Sequence, residues 1–393
     1  MAKQKIFNFL DKSIEYLLYL MIFFIPISIA AIEIIFTISL FLFIFKKILN
    51  PDFKFLKNPT HIFLLFFFGF CGLSLFNSGI YLAKGIKALF AKWFEYILIF
   101  IFVEDTFNHR YKIRNAVFIF LVTAILIGVD AVFQKITGID FLRKCPLVEG
   151  HITGSFQNPN NLGAYLAPLS VLIISSLFLE QIKKQYKYIL LFLVIFLCAI
   201  LILSLSRGAW LGFFVGVILF LILSKNFKKA IIPLLIFILI LMLFPITRQR
   251  IIYSLMPGGD ADRFALFRTS WAMIKENPFL GKGLGTYMDY FRKYATIEGV
   301  YYAHNCYLQI WAESGIFSLL SFLLFIGSIL YKGISLFRKN SDILLLGLLC
   351  AIIAMLVHMF FEVHLYSLRL AVLFWFILGI LVAKINIGRM NSI

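Results

Sequence analysis

The chain is a succession of apolar runs, each about as long as a membrane is thick, separated by links of which every second one is basic. A helix needs ~17–25 residues to cross the hydrocarbon core of a bilayer. By that measure about twelve runs are long enough, at 16–30, 32–47, 61–76, 82–103, 116–134, 162–179, 188–203, 208–224, 230–246, 305–331, 343–361 and 367–384. Within lipid, backbone N–H and C=O groups must be paired inside the segment itself, so such runs fold as helices. The expected fold class is therefore all-α: a polytopic integral membrane protein with about 12 transmembrane helices. The first two runs share one apolar stretch broken at Pro26, which makes them either a helical hairpin or one kinked helix. With 62% hydrophobic and only 14% charged residues, the chain has the bilayer, not water, as its solvent.

The formal charge of +18 would suggest nucleic acid in a soluble protein. Here more than half of the 37 Lys and Arg fall in alternate connections. These are Lys3, Lys5 and Lys12; Lys46, Lys47, Lys54 and Lys57; Arg110, Lys112 and Arg114; Lys183, Lys184 and Lys187; Lys225, Lys228 and Lys229; Lys332, Arg338 and Lys339; and Lys384 with Arg389. Basic residues in short connections mark the cytoplasmic side. Both termini are expected there, the first run reads as a retained span rather than a cleaved signal, and no nucleic-acid partner is expected.

Two connections on the opposite face are long, 135–161 and 247–304. Long loops kept in a compact protein are usually functional. The chain has no internal repeat and reads as one transmembrane domain, 1–393. Within the second loop, MIKENPFLGKGLGTYMDYFRKYA predicts two short helices near the membrane surface around a Pro-Gly break. Its GKGLG lacks the preceding strand a dinucleotide loop requires, so it reads as a turn. Of five Cys, Cys71, Cys198 and Cys350 lie in apolar runs, while Cys145 and Cys306 lie in or beside the long loops, where a disulfide is open.

Four clusters fall on this outer face. GSFQNPNNLGAYLAP (154–168) offers Asn158, Asn160 and Asn161 as helix caps or as amide donors to a sugar or phosphate. LSLSRGAWLG (203–212) puts Arg207 in a tight link between two runs. It is either a snorkelling side chain or a phosphate-binding fork. GGDADRFALFRTSW (258–271) supplies Arg263 and Arg268, and an Asp260/Asp262 pair read as loop and cap rather than metal ligands. YYAHNCYLQIWAESGIF (301–317) places His304 and Asn305 at a helix start, with Glu313 about two turns on. His304 is either a cap or a general base, because neutral imidazole can accept a hydroxyl proton at ambient pH. Lys84, Lys87, Lys92 and Glu95 open the fourth run; Lys92 and Glu95 can pair on one helix face, and the lysines can line a cavity for an anionic lipid head group. His358 and His364 bracket the last outer turn with Glu362 and read as interfacial residues.

These motifs, in this order, resemble the O-antigen ligase and polymerase superfamily of bacterial envelopes. The resemblance rests on LSLSRGAWLG, DRFALF…W…ENPFLGKGLGTY and AHNCYLQIWAESG, with GSFQNPNNLGAYL upstream, and covers about 154–318. The ligase branch is recognised by His, then Asn, Ser or Gln, nine residues, then Gly. His304, Asn305 and Gly315 follow that pattern, while Ser318 departs from the family's Gly or Thr. The resemblance implies a GT-C-like glycosyltransferase, with 135–161 and 247–304 as periplasmic loops forming the active site, in a bacterial inner membrane. It implies an O-antigen ligase moving a polysaccharide from undecaprenyl diphosphate to a lipid A core sugar hydroxyl, inverting the anomeric centre without metal or other cofactor. It further implies His304 as base and Arg207 and Arg263 neutralising the leaving diphosphate, with Arg268 as a supporting charge. Asn158, Asn160 and Asn305 would bind sugar or phosphate oxygens, Lys92 would attract the diphosphate, and Glu313 would orient His304 or its helix. A polymerase or a protein O-oligosaccharyltransferase would use much the same residues; a transporter is the alternative of another class.

Overall fold

The computed structural model describes residues 2–53, 58–180, 182–225, 261–299 and 301–390, with a few positions between 235 and 252. Most of the expected ninth span, 230–246, and Asp260 with the side chain of Asp262 lie outside the described residues. No β-strand occurs among the described residues, only two isolated bridges in the loop after residue 137. The fold is an all-helical bundle of the kind a multi-pass membrane protein requires, with six long apolar helices and several shorter ones.

We number the helices in chain order: α1 (Ala2–Phe24), α2 (Ile29–Leu49), α3 (His61–Leu73), α4 (Leu82–Ala88), α5 (Glu95–Thr106), α6 (Arg110–Thr137), α7 (Pro159–Ser176), α8 (Lys184–Leu203), α9 (Arg207–Ser224), α10 (Ala261–Glu276), α11 (Tyr287–Tyr294), α12 (Cys306–Asn340), α13 (Ile343–His358) and α14 (Leu368–Met390). The break at Pro26 makes a hairpin: α1 and α2 pack on each other, and Ser28 caps α2 by accepting from the Ala31 N–H. The most enclosed helix is α14, whose residues from Arg369 to Ile385 are all buried. It packs against α5, α13, α12, α6 and α7.

Polar contacts sort the helix ends into two sets, as the alternating charge pattern predicts. At one end Lys46 of α2 pairs with Asp11 at 2.6 Å and with Asp105 at 2.8 Å, and Lys47 takes the other Asp105 oxygen at 2.6 Å. Lys112 joins Asp11 at 3.0 Å and Glu15 at 3.2 Å. Three lysines thus face three carboxylates, mostly buried, and tie α1, α2, α5 and α6 together. Nearby, Lys384 pairs with Asp342 at 2.6 Å and Lys332 donates to Asn58 at 3.1 Å. Removing one member of a buried pair leaves its partners short of charge, at ~3–5 kcal/mol. Asp105→Asn is therefore expected to lower stability in detergent by about that amount, read as a fall in melting temperature; an unchanged melting temperature would refute the structural role.

At the opposite end Arg369, at the start of α14, donates to the carbonyls of Pro26 at 3.1 Å and Ser155 at 2.7 Å. That stitches the hairpin tip to the loop before α7. The loop folds back on α6 through Gln134, whose Oε1 accepts the N–H groups of Thr153 at 2.8 Å and Gly154 at 2.9 Å. Cys145 and Cys306 are both free thiols, Cys306 fully buried, so the open disulfide does not form.

Two helices depart from the expected spans. The fourth run contains a π turn at Leu89–Phe94, which breaks the α register. Lys92 and Glu95 consequently do not pair among the described residues: Lys92 is exposed and Glu95 is buried, its Oε1 without a hydrogen-bond partner. The tenth run continues to Asn340, beyond 331, and is interrupted at Gly315, whose φ of 79° and ψ of 174° are not helical.

Candidate functional site

Within 261–299, α10 and α11 are joined by a turn through GKGLG. That turn exists because the break in α12 leaves backbone groups unpaired. Lys282 N–H donates to the Ala312 carbonyl at 2.9 Å, Gly283 N–H to the Glu313 carbonyl at 2.9 Å, and Ile316 N–H to Pro278 at 3.0 Å. The Glu313 side chain, 1% exposed, accepts the N–H groups of Gly285 at 2.9 Å and Tyr287 at 3.2 Å. Its carboxylate is thus taken up by the turn and does not reach the His304 cleft. Asn77 donates to the Gly281 carbonyl at 2.8 Å, anchoring the same turn to the end of α3.

Close helix packing brings the other clusters alongside. Gly208, Gly212 and Gly216 recur every fourth residue on α9 and lie against His358, Ala354 and Cys350 of α13. A Cβ at Gly212 would sit 2.4 Å from the Ala354 carbonyl oxygen. This is small-residue packing of the kind that lets membrane helices touch backbone to backbone. It sets the N-terminus of α9, with Arg207, against the C-terminus of α13. Gly163 of α7 packs in the same way on Ser206 and Ala209.

The result is a cleft of about 520 Å³ at this end of the bundle, lined by Asn160, Arg263, Tyr301, Glu298, His304 and Glu362, with Leu266 and Ile297 as its apolar wall. His304 Nδ1 lies 3.2 Å from Glu362 Oε2, and Asn160 donates to the other Glu362 oxygen at 2.5 Å. Glu362 is 8% exposed, whereas the His304 side chain keeps 34% of its surface. The backbone at His304 is left-handed, φ 46°, immediately before Asn305 caps α12 by accepting from the Leu308 N–H at 2.9 Å. Such a conformation is costly for a non-glycine residue and is held only where its surroundings require it. Arg263 projects from α10 with its guanidinium carbon 5.9 Å from the Phe361 ring centroid.

Three of the sequence-predicted residues therefore share the cleft: His304, Arg263 and Asn160. Arg207 stands nearby at the first turn of α9. Arg268 is exposed on the far side of α10 and does not line the cleft. Asn158 is exposed and caps α7, accepting from the Asn161 N–H at 2.8 Å. Lys92 is exposed beside the π turn.

Glu362, His358 and His364 need correction, since interfacial placement does not describe them. Glu362 is the carboxylate partner of His304. His358 and His364 are each 1% exposed, with ring centroids 4.5 Å apart. Burial pulls the His364 pKa down to about 4, so that ring stays neutral. Of the three histidines packed around this corner, His304, His358 and His364, only His304 opens to the cleft. Glu362 lies 58 residues from His304 with no local motif around it. The signal that could have found it was topological, since the last outer turn must share a face with His304 and Asn160.

A cleft with this content can move one proton and hold one anion. Glu362 fixes the imidazole through Nδ1, which leaves Nε2 to accept a proton, and the carboxylate stabilises the imidazolium that results. Arg263 supplies fixed positive charge in the same cleft. Comparison with curated proteins finds no match. Residues 191–323, the segment that carries Arg207, Arg263, Arg268 and His304, match the family model described as O-antigen ligase.

Proposed function

We propose that the protein is an O-antigen ligase, joining a polysaccharide from undecaprenyl diphosphate to a sugar hydroxyl of the lipid A core at the periplasmic face of a bacterial inner membrane. The observation that carries this reading is the His304–Glu362–Asn160 chain sharing one cleft with Arg263. The family match supports a transferase acting on lipid-linked glycans.

In this reading the acceptor hydroxyl attacks the anomeric carbon from the face opposite the diphosphate. As the new C–O bond forms, the hydroxyl proton passes to His304 Nε2. The old C–O bond breaks with its electron pair going to the diphosphate, whose growing charge Arg263 and Arg207 neutralise. The donor bond supplies the driving force, so no nucleotide is required. One displacement inverts the anomeric centre. Asn160 keeps Glu362 aimed at His304, and the capping residues Asn158 and Asn305 hold the two helix starts.

Removing a charge-stabilising donor at a reacting centre costs ~10²–10³ in turnover. Arg263→Ala is expected to lose about that much, while Arg268→Ala, outside the cleft, stays close to wild type. The assay is reconstituted transfer from undecaprenyl-diphosphate glycan to lipid A core. Equal losses in both variants would refute this assignment of the arginines. Longer lipid-linked chains in place of a lipid A conjugate would identify a polymerase instead.

A further inference from the structure

Between α3 and α5 lies an apolar groove of about 220 Å³, lined by Leu65, Phe68, Phe94, Leu98 and Ile101, with His61 at its inner end. It is open to the bilayer: Leu65 is 57% exposed and Phe94 40%. The groove wall continues toward the outer face. Phe94, Leu98 and Ile101 follow at intervals of four and three residues along one face of α5 and its start, and the π turn at Leu89–Phe94 carries the chain back past Phe90 to Lys87. Phe90 and Phe94 both meet the Phe68 ring, at 6.4 and 5.7 Å between centroids. An apolar stripe thus runs up from the groove to Phe90, three residues from Lys87.

Lys87 and Lys92 are exposed at that outer end and make no ion pair among the described residues, whereas their neighbour Lys84 is held by Asp289 at 2.6 Å. Cations in lipid without carboxylate partners favour an anion. The same segment adjoins the catalytic cleft through ring contacts. Trp93 meets Tyr366 at 5.8 Å, and Tyr366 meets Tyr302, two residues before His304, at 6.2 Å.

Length decides what fills the groove. From Lys87 to Ile101 is ~21 Å at ~1.5 Å per residue. Half a hydrocarbon core is only ~15 Å. A phospholipid headed at Lys87 ends near the midplane, short of the groove floor. We infer that this groove is where the incoming donor docks before reaction: a polyprenyl phosphate or diphosphate with its chain lying against α3 and α5 and its head held by Lys87 and Lys92 until it passes to Arg263 in the cleft and Arg207 beside it. The inference rests on the proposed function for the identity of the donor, and the groove itself on the geometry above.

The test uses the full chain in phospholipid nanodiscs and undecaprenyl phosphate bearing a photoreactive diazirine toward the far end of its chain. Adducts are expected on residues 61–68 and 94–101. Leu65→Trp and Leu98→Trp, which fill the groove from either wall, should each reduce them about tenfold, equivalent to ~1.4 kcal/mol. Lys87→Glu should reduce them as well, with melting temperatures confirming that all three variants fold. Farnesyl phosphate and excess phosphatidylglycerol should compete poorly. Adducts elsewhere, or displacement by phosphatidylglycerol as effective as by unlabelled undecaprenyl phosphate, would overturn the proposal. Transfer measured on the same preparation separates the two readings. Transfer with adducts elsewhere sinks the groove alone; adducts in the groove without transfer leave the site standing and sink the ligase.

Discussion

His304→Ala should abolish glycan transfer while leaving the protein folded. A positioned general base contributes ~10²–10⁴ in rate, and His304 is the histidine that lines the cleft. Its neighbours His358 and His364 are enclosed at 1% exposure and cannot reach a substrate. Loss of the ring opens no core cavity, since a third of the side chain already faces the cleft. Glu362→Gln should also lower turnover, by less, because Nε2 survives but loses the carboxylate that orients the ring and stabilises its cation. Groups that act as one unit are non-additive. The double variant His304→Ala/Glu362→Gln is therefore expected to be no slower than His304→Ala alone. Single-turnover transfer from a labelled donor measures all three. Multiplicative losses would show that Glu362 acts independently of His304, and near-normal rates for His304→Ala would remove the histidine from the chemistry.

The fold was legible because lipid imposes simple rules. Run length marked the helical segments, six of them long and apolar enough to cross a membrane among the described residues, and the basic links divided helix ends into the two sets that the contacts of Lys46, Lys112, Asn160 and Arg369 display. What escaped depended on tertiary context. The π turn at Leu89–Phe94 has no compositional mark, so Lys92 and Glu95 seemed able to pair. Arg369 looked like any residue at a helix start, yet it is 6% exposed and holds Pro26 and Ser155. Within the site, His304, Arg263 and Asn160 were readable from local motifs, whereas Glu362 was not. Its role arises only when α13 ends against α9, and that approach depends on Gly208, Gly212 and Gly216. Their four-residue repeat was visible in the sequence and is the clue to which helices would meet. Glu313 was noticed for its charge, but its function is set by the N–H groups of a turn 26 to 28 residues away in sequence.

Gly315 shows how a family spacing becomes a physical requirement. The nine residues between Asn305 and Gly315 measure the short helical segment that precedes the break in α12. A Cβ at Gly315 would lie 1.9 Å from the Phe279 carbonyl oxygen and 2.6 Å from the Leu280 nitrogen, both backbone atoms that cannot swing aside. Its φ of 79° with ψ of 174° belongs to a region reserved for glycine, at ~1–3 kcal/mol for other residues. Overpacking adds ~1–3 kcal/mol more. Gly315→Ala should therefore destabilise the protein by up to ~6 kcal/mol and push the GKGLG turn off α12. The turn carries α10, so Arg263 would move relative to His304 and transfer should fail even in the fraction that folds. Gly327 on the same helix has nothing within 4 Å of its missing Cβ and provides the control. Gly327→Ala should be neutral or stabilising by ~0.5–1 kcal/mol, since glycine is the poorer helix former. Thermal unfolding of both variants in detergent, read beside transfer, distinguishes a break that α12 must have from one it merely tolerates. Equal melting temperatures would mean that the turn can yield and that the spacing to Gly315 reflects something other than this contact.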